Sequence, residues 1–293
     1  SIGNACCDTN NKVQSIVSIT GKFMNPSLRL KLSLSVVVFL LAVVSLAYYG
    51  PIPQDDAYHH FADHRTILGV GNFWNVVSNI PFLVIGAVGM GLSALLFYPF
   101  ASRLRIDERA HAMRWHYITF FTGLILTGLG SSYYHLEPNG STLVWDRLPM
   151  TIAFMGFFCL VIGYHASVKV ARVSLLPAVF TGAASVGCWV YTESIGASDL
   201  RFYALVQFLP IVLIPLIIAG SESKQLTKRT VWVIILFYAA AKLLEYFDQF
   251  FYTSLHLVSG HSLKHLVASF AGVVIVIHLS KLIKSGESKH DIS

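Results

Sequence analysis

The sequence predicts an all-α integral membrane protein: a seven-transmembrane-helix bundle core with one additional N-terminal transmembrane helix. Three observations carry this. Of 293 residues, 55% are hydrophobic and only 12% charged, with a mean hydropathy of +0.62. Soluble domains carry about 25% charged residues, so lipid is the expected solvent. The apolar residues gather in eight segments, each near the ~20 residues that cross a bilayer core. The basic residues behind the net charge of +6 fall in short clusters in alternate loops. That pattern orients a membrane protein and excludes nucleic acid as a partner.

Residues 1–28 are polar and read as a cytoplasmic N-terminal tail, in which Met24 looks like an alternative start. Residues 29–50, with Arg29 and Lys31 at the head of a long apolar run, read as an uncleaved signal anchor. The run is long enough to span and shows no small-residue cleavage site. Residues 51–72 form an extracytoplasmic loop, 73–284 the seven-helix core, and 285–293 a cytoplasmic C-terminal tail. The eight segments lie at about 30–50, 73–98, 115–136, 143–166, 171–192, 200–220, 229–252 and 263–284. None requires an exposed strand in lipid. Pro81, Pro177, Pro210 and Pro215 are expected inside helices, as kinks. The glycines of "GAVGMG" (86–91) and "TGLG" (127–130) permit close helix approach. Cys6 and Cys7 are adjacent and do not easily bridge, and Cys159 and Cys188 read as small hydrophobes.

Lys22, Arg29 and Lys31 open one set of loops. Arg103, Arg105, Arg109 and Arg114, then Lys169 and Arg172, then Lys224, Lys228 and Arg229 continue it, and Lys281, Lys284 and Lys289 close it. These alternate loops belong inside if both termini are cytoplasmic. The opposite loops hold only Arg65, Arg147, Arg201 and Lys264. In this topology His135 ends span three with Ser131 one turn deeper, and Asp146 lies in the first turn of span four. His261 and His265, four residues apart, share one face of span eight. All five meet at one depth near the outer surface.

Three neutral imidazoles suit zinc and leave a tetrahedral position for water, which zinc acidifies to a pKa of about 7. Asp146 would then relay a proton and Ser131 donate to an oxyanion, the parts that amide hydrolysis requires. Simpler readings stand beside these. The histidine pair could be an interfacial polar face, and Ser131 could bond its own helix backbone. Asp146 could cap span four or pair with Arg147. In span seven, Lys242, Glu245, Asp248 and Gln249 form a stripe facing the bundle interior. Lys242–Glu245 reads as a structural pair, and Asp248 as an acceptor that orients a metal-binding histidine. His59, His60 and His64, with Asp55, Asp56 and Asp63, could bind a second metal or gate the site, but read first as a solvated loop. His111 and His116 read as part of a basic inner loop, and His278 as part of the inner half of span eight, far from the three histidines.

The stretches "FWNVVSNIPF" (73–82), "LTGLGSSYYH" (126–135), "DRLPM" (146–150) and "GHSLKHL" (260–266), with Asp248, resemble the alkaline ceramidase family. That family sits in the wider seven-span zinc-hydrolase group that includes the adiponectin and progestin receptors. The resemblance spans about residues 55–284 and implies zinc on His135, His261 and His265, with Asp146 and Ser131 catalytic. It also implies hydrolysis of ceramide-like lipids to a sphingoid base and a fatty acid. Two features depart from the family: the extra first span, and the loss of the acidic calcium-binding stretch of the animal enzymes. Asn72 stands where a carboxylate would precede "FWN" and Asp63 is the main one left, so calcium is not carried over. The loop is similar to bacterial-type members and implies the cytoplasmic membrane, or ER/Golgi in a eukaryote. A receptor of the related group and an ion transporter are the competing classes. The receptor is weakened by the lack of an extended recognition domain, and the transporter by the grouping of the polar residues at one face.

Overall fold

The computed structural model describes residues 26–97 and 106–284. The expectations placed on Cys6, Cys7, Lys22, Met24, Arg103, Arg105, Lys289 and the tail 285–293 lie outside these residues. So do those on the side chains of Arg29, Lys31 and Lys284.

The named elements are α1 (Pro26–Tyr49), a 3₁₀ turn (Asp56–His59), α2 (Phe73–Val77), α3 (Ile80–Leu95), α4 (Glu108–Ala112) and α5 (Arg114–Leu136). After these come α6 (Gly140–His165), α7 (Val168–Ser194), α8 (Arg201–Ile218), α9 (Lys228–Tyr246), α10 (Asp248–Leu255) and α11 (Gly260–Lys284). Among the described residues none forms a named strand. Five helical segments are long and apolar enough to cross a membrane: Phe73–Leu95, Gly140–His165, Val168–Ser194, Arg201–Ile218 and Gly260–Ile283. Such a set makes the chain an integral membrane protein. α9 and α10 add a sixth if they are one span broken by a 76° bend. α5 has the length, 23 residues, but less apolar character, because it carries His116, Thr127, Ser131 and His135, all buried among its neighbours.

Two expectations are corrected here. The segment 229–252 is not one helix, since the chain turns at Phe247 between α9 and α10. Pro81 is not a kink within a helix either. The chain breaks at Ser78–Asn79, and Pro81 sits in the first turn of α3, where a missing N–H costs no hydrogen bond. Pro177, Pro210 and Pro215 do lie inside helices, as does Pro149.

α5 is central, packed between α3 and α6, while α11 packs on α9 and α3. A core of Phe82, Tyr117, Phe121, Leu124, Leu160, Ile275 and Leu279 fills the space between them. A Cβ at Gly89 would collide with the Phe121 ring, so the α3–α5 approach depends on that glycine. α1 packs on α8, where Arg201 Nη1 donates to the Leu46 carbonyl at 3.4 Å. The following loop turns back over the bundle. Leu200 N–H donates to Ile52 O at 2.7 Å, and Gln54 N–H to Ser198 Oγ at 3.0 Å.

Candidate metal centre

Three helix ends build the site. A Cβ at Gly130 would collide with the Trp145 carbonyl oxygen, so only glycine lets α5 and α6 cross closely enough to bring Ser131 beside Asp146. Ser131 and Asp146 are both buried and line the same cavity. Asp146 is in the second turn of α6, not the first, because the helix starts at Gly140. Its N-cap is Asn139, which forms a capping box with Thr142, so Asp146 is free of a capping role. Nor does Asp146 pair with Arg147, whose guanidinium reaches Gln54 instead.

α11 delivers the other two histidines. Gly260 nests against Leu244 O and the backbone of Asp248, an approach that any Cβ would block. His261 and His265 then stand one turn apart, facing His135 on α5. All three are buried, and each offers a ring nitrogen within 4.8 Å of the other two. The His135 and His261 Nε2 atoms are 3.3 Å apart. A buried set of three neutral nitrogens this close is a donor group that a divalent cation fits. Among the described residues this is the one group of histidines, cysteines and carboxylates that converges in this way.

The surrounding polar groups fix the rings. Ser78 Oγ donates to Asn75 O at 3.2 Å, so it accepts from His265 Nδ1 at 2.8 Å and leaves the His265 Nε2 lone pair facing the site. Asp248 does not orient a ring, as the sequence suggested. Its Oδ1 accepts from the His261 backbone N–H at 2.6 Å and its Oδ2 from Ala62 N–H at 2.9 Å. The bend at Phe247 turns Asp248 toward the start of α11, so it acts on backbone. Lys242 pairs with Glu245 at 2.6 Å as expected, but Glu245 also binds Lys264 at 2.9 Å. Lys264 Nζ lies 3.0 Å from His261 Nε2, where an ammonium meets a lone pair that a metal would otherwise take.

The loop before α2 is solvated at His60 and His64, as expected, but packs inward at His59, Phe61 and Asp63. Phe61 packs on His135 and His261 with ring centroids 4.7 and 4.5 Å away, closing one side of the centre. His59 Nδ1 meets Tyr134 Oη at 2.9 Å, while His60 and His64 are exposed. Asp63 is buried, with Arg65 donating to both of its oxygens at 2.8 and 2.6 Å. The same guanidinium reaches Leu257 O at 2.6 Å, tying the loop to the turn before α11. Burial pushes the Asp63 carboxyl up, but the hydrogen bonds and charge of Arg65 outweigh it and hold it below its ordinary value of 3.8. Asn72 donates to His135 O at 3.0 Å, a backbone contact unlike that of a calcium carboxylate. At the far end of α5 and α11, His278 is buried against Tyr117, and His116 is buried rather than in a loop.

Sequence reasoning missed Ser78, Asn75, Phe61 and Lys264. Asn75, Ser78 and Asn79 recur at i, i+3 and i+4 in an apolar stretch, a polar face that had to point inward, so two of the four were legible. Lys264 was counted with the outer-loop cations, although it falls between His261 and His265 on the same helix.

A cavity of about 460 Å³ opens from Ser131, Asp146, His265, Glu245 and Lys264. Its remaining wall is largely apolar, with Phe82, Leu124, Phe157, Ile214 and Ile234 among its side chains. A helical membrane bundle with a buried triple-histidine cluster beside an apolar cavity defines a class: membrane proteins whose buried donors could hold a metal next to a site for an apolar ligand. The profile of the Ceramidase family matches residues 62–292, and the chain belongs to that family. Membership carries hydrolysis of the ceramide amide bond, and with it a lipid substrate. No individually curated protein matches the chain.

Proposed function

We propose that the protein is a zinc-dependent intramembrane amidase that cleaves ceramide-like N-acyl sphingoid lipids to a sphingoid base and a fatty acid. The observation behind it is the buried cluster of His135, His261 and His265, of which His265 lines an apolar cavity together with Asp146 and Ser131. His135, His261 and His265 would hold the zinc. Zinc held there would supply Lewis-acid chemistry to the scissile amide. Asp146 takes a proton from the attacking water and returns it to the leaving nitrogen. Ser131 donates to the oxygen on which negative charge develops, from one turn below His135. Phe61 and the loop 51–72 exclude bulk water from the histidine side.

The same proposal includes the topology. Residues 73–284 form seven spans preceded by α1, with cytoplasmic termini and the site at the extracytoplasmic face of the cytoplasmic membrane. The alternation of basic loops supports it. Single cysteines placed at 137–142 and 253–260 should label from the extracytoplasmic side, and those at 99–114 from inside. Labelling of 137–142 from the cytoplasm overturns the topology. The function is tested by zinc analysis with turnover of a labelled ceramide by purified protein, and a zinc-loaded protein inert toward every N-acyl sphingoid lipid tried would sink it.

A further inference from the structure

We propose that Arg147 binds an anionic head group, phosphate or sulfonate in kind, on the N-acyl lipid that occupies the cavity. The lipid's identity rests on the amidase reading; the anion site does not. Arg147 is only 5% exposed and lines the cavity together with Ile52, Tyr58 and Leu200, at the end covered by the loop before α2. Its guanidinium sits among three aromatic rings, Trp189, Tyr203 and Tyr58, at 4.5, 4.9 and 5.4 Å from their centroids. One nitrogen, Nη2, donates to Gln54 Oε1 at 2.6 Å. Among the described residues the other, Nη1, is buried with no hydrogen-bond partner, and no carboxylate lies within ion-pair distance of Arg147.

A guanidinium caged by aromatic rings has its faces satisfied but not its in-plane donors. A buried cation left in that state is among the most unfavourable groups a protein can carry, unless something pairs with it. The rest of the wall does not pair with it. Arg147, Lys242 and Lys264 face Asp146 and Glu245, and both lysines share Glu245, so the cavity holds one cation in excess. A neutral hydroxyl could accept one hydrogen bond but would leave the charge uncompensated. A tetrahedral oxyanion supplies both charge and the oxygens that an arginine fork recognises. The apolar wall around Phe157, Ile214 and Ile234 then takes hydrocarbon chains, so head and tails have separate places.

The test measures equilibrium binding to the purified full chain in detergent micelles doped with ceramide 1-phosphate, neutral ceramide of the same acyl chain, or the free fatty acid. Wild-type protein should bind the phosphorylated lipid about 10–100-fold more tightly than the neutral one, the range for hydrogen bonds to a charged group. Arg147→Gln should abolish that preference, so that the phosphorylated and neutral ceramides bind the variant equally. If Arg147→Gln does not fold, Arg147→Lys decides, because it keeps the charge and loses the fork: a reduced preference supports the site and an unchanged one overturns it. Equal wild-type binding of both ceramides, a preference that survives Arg147→Gln, or an Arg147 dependence confined to the fatty acid also overturns it. Preference without cleavage of either lipid would instead sink the amidase reading alone.

Discussion

Replacing Ser78 by alanine isolates one hydrogen bond behind the metal centre. The hydroxyl accepts from His265 Nδ1 at 2.8 Å and donates to Asn75 O at 3.2 Å. Losing the second contact matters little, because Asn79 Nδ2 already donates to the same carbonyl at 2.8 Å. Losing the first strands a buried N–H and frees the imidazole to rotate or change tautomer. An unsatisfied buried donor costs about 1–3 kcal/mol, which is roughly 5–150-fold in an equilibrium constant. Partners behind metal ligands independently measure at about 10–100-fold in affinity. Ser78→Ala should therefore weaken zinc binding by about 10–100-fold, while Ser78→Thr, which keeps the hydroxyl, should stay much closer to wild type. Chelator competition on purified protein reads the affinity, and circular dichroism checks that helicity is retained. Unchanged zinc affinity in Ser78→Ala would refute the assignment of His265 as a ligand oriented by Ser78.

Three further outcomes follow from the same geometry. Elemental analysis should find about one zinc per chain, most of it lost in His261→Ala or His265→Ala with helicity preserved; stoichiometric zinc in the double variant contradicts the ligand set. Asp146→Asn should keep zinc and lipid binding but lose at least about 10²–10⁴-fold in single-turnover cleavage, and Ser131→Ala about 10²–10³-fold or less; near-normal cleavage by Asp146→Asn would send the search for the base elsewhere. The Asp63–Arg65 tie has a pH signature. Because the folded carboxyl lies below its ordinary 3.8, its contribution is complete above that value and is lost as pH falls through the lower, folded one. Limited proteolysis of the loop 51–72 should thus rise in that acid window and lose its pH dependence in Arg65→Ala, whereas a loop that loosens as pH rises from 4 to 7 would show that another group holds it.

The site histidines were legible because helix periodicity alone puts His261 over His265 and Ser131 under His135. Their convergence with Asp146 followed from reading the apolar segments as antiparallel neighbours. What stayed hidden depends on contacts between distant segments. No proline or glycine marks the turn at Phe247, so nothing local revealed that Asp248 would reach the His261 backbone. Asp63 looks solvated in "HHFADHR", yet Arg65 and the turn at Leu257 bury it. Lys264 was counted among loop cations by its charge, although it lies between His261 and His265 in the first turns of α11. The helical class, the order of elements and the polar inward faces are local properties. The breaks, and the loop packed onto the histidines, are tertiary.

The most direct measurement is single-turnover release of labelled fatty acid from a ceramide by purified, zinc-loaded protein, run beside His135→Ala prepared in the same way. Near-stoichiometric release by the wild type and none by His135→Ala is the expected result. No release by the wild type, or equal release by the variant, would contradict hydrolysis at the triple-histidine centre.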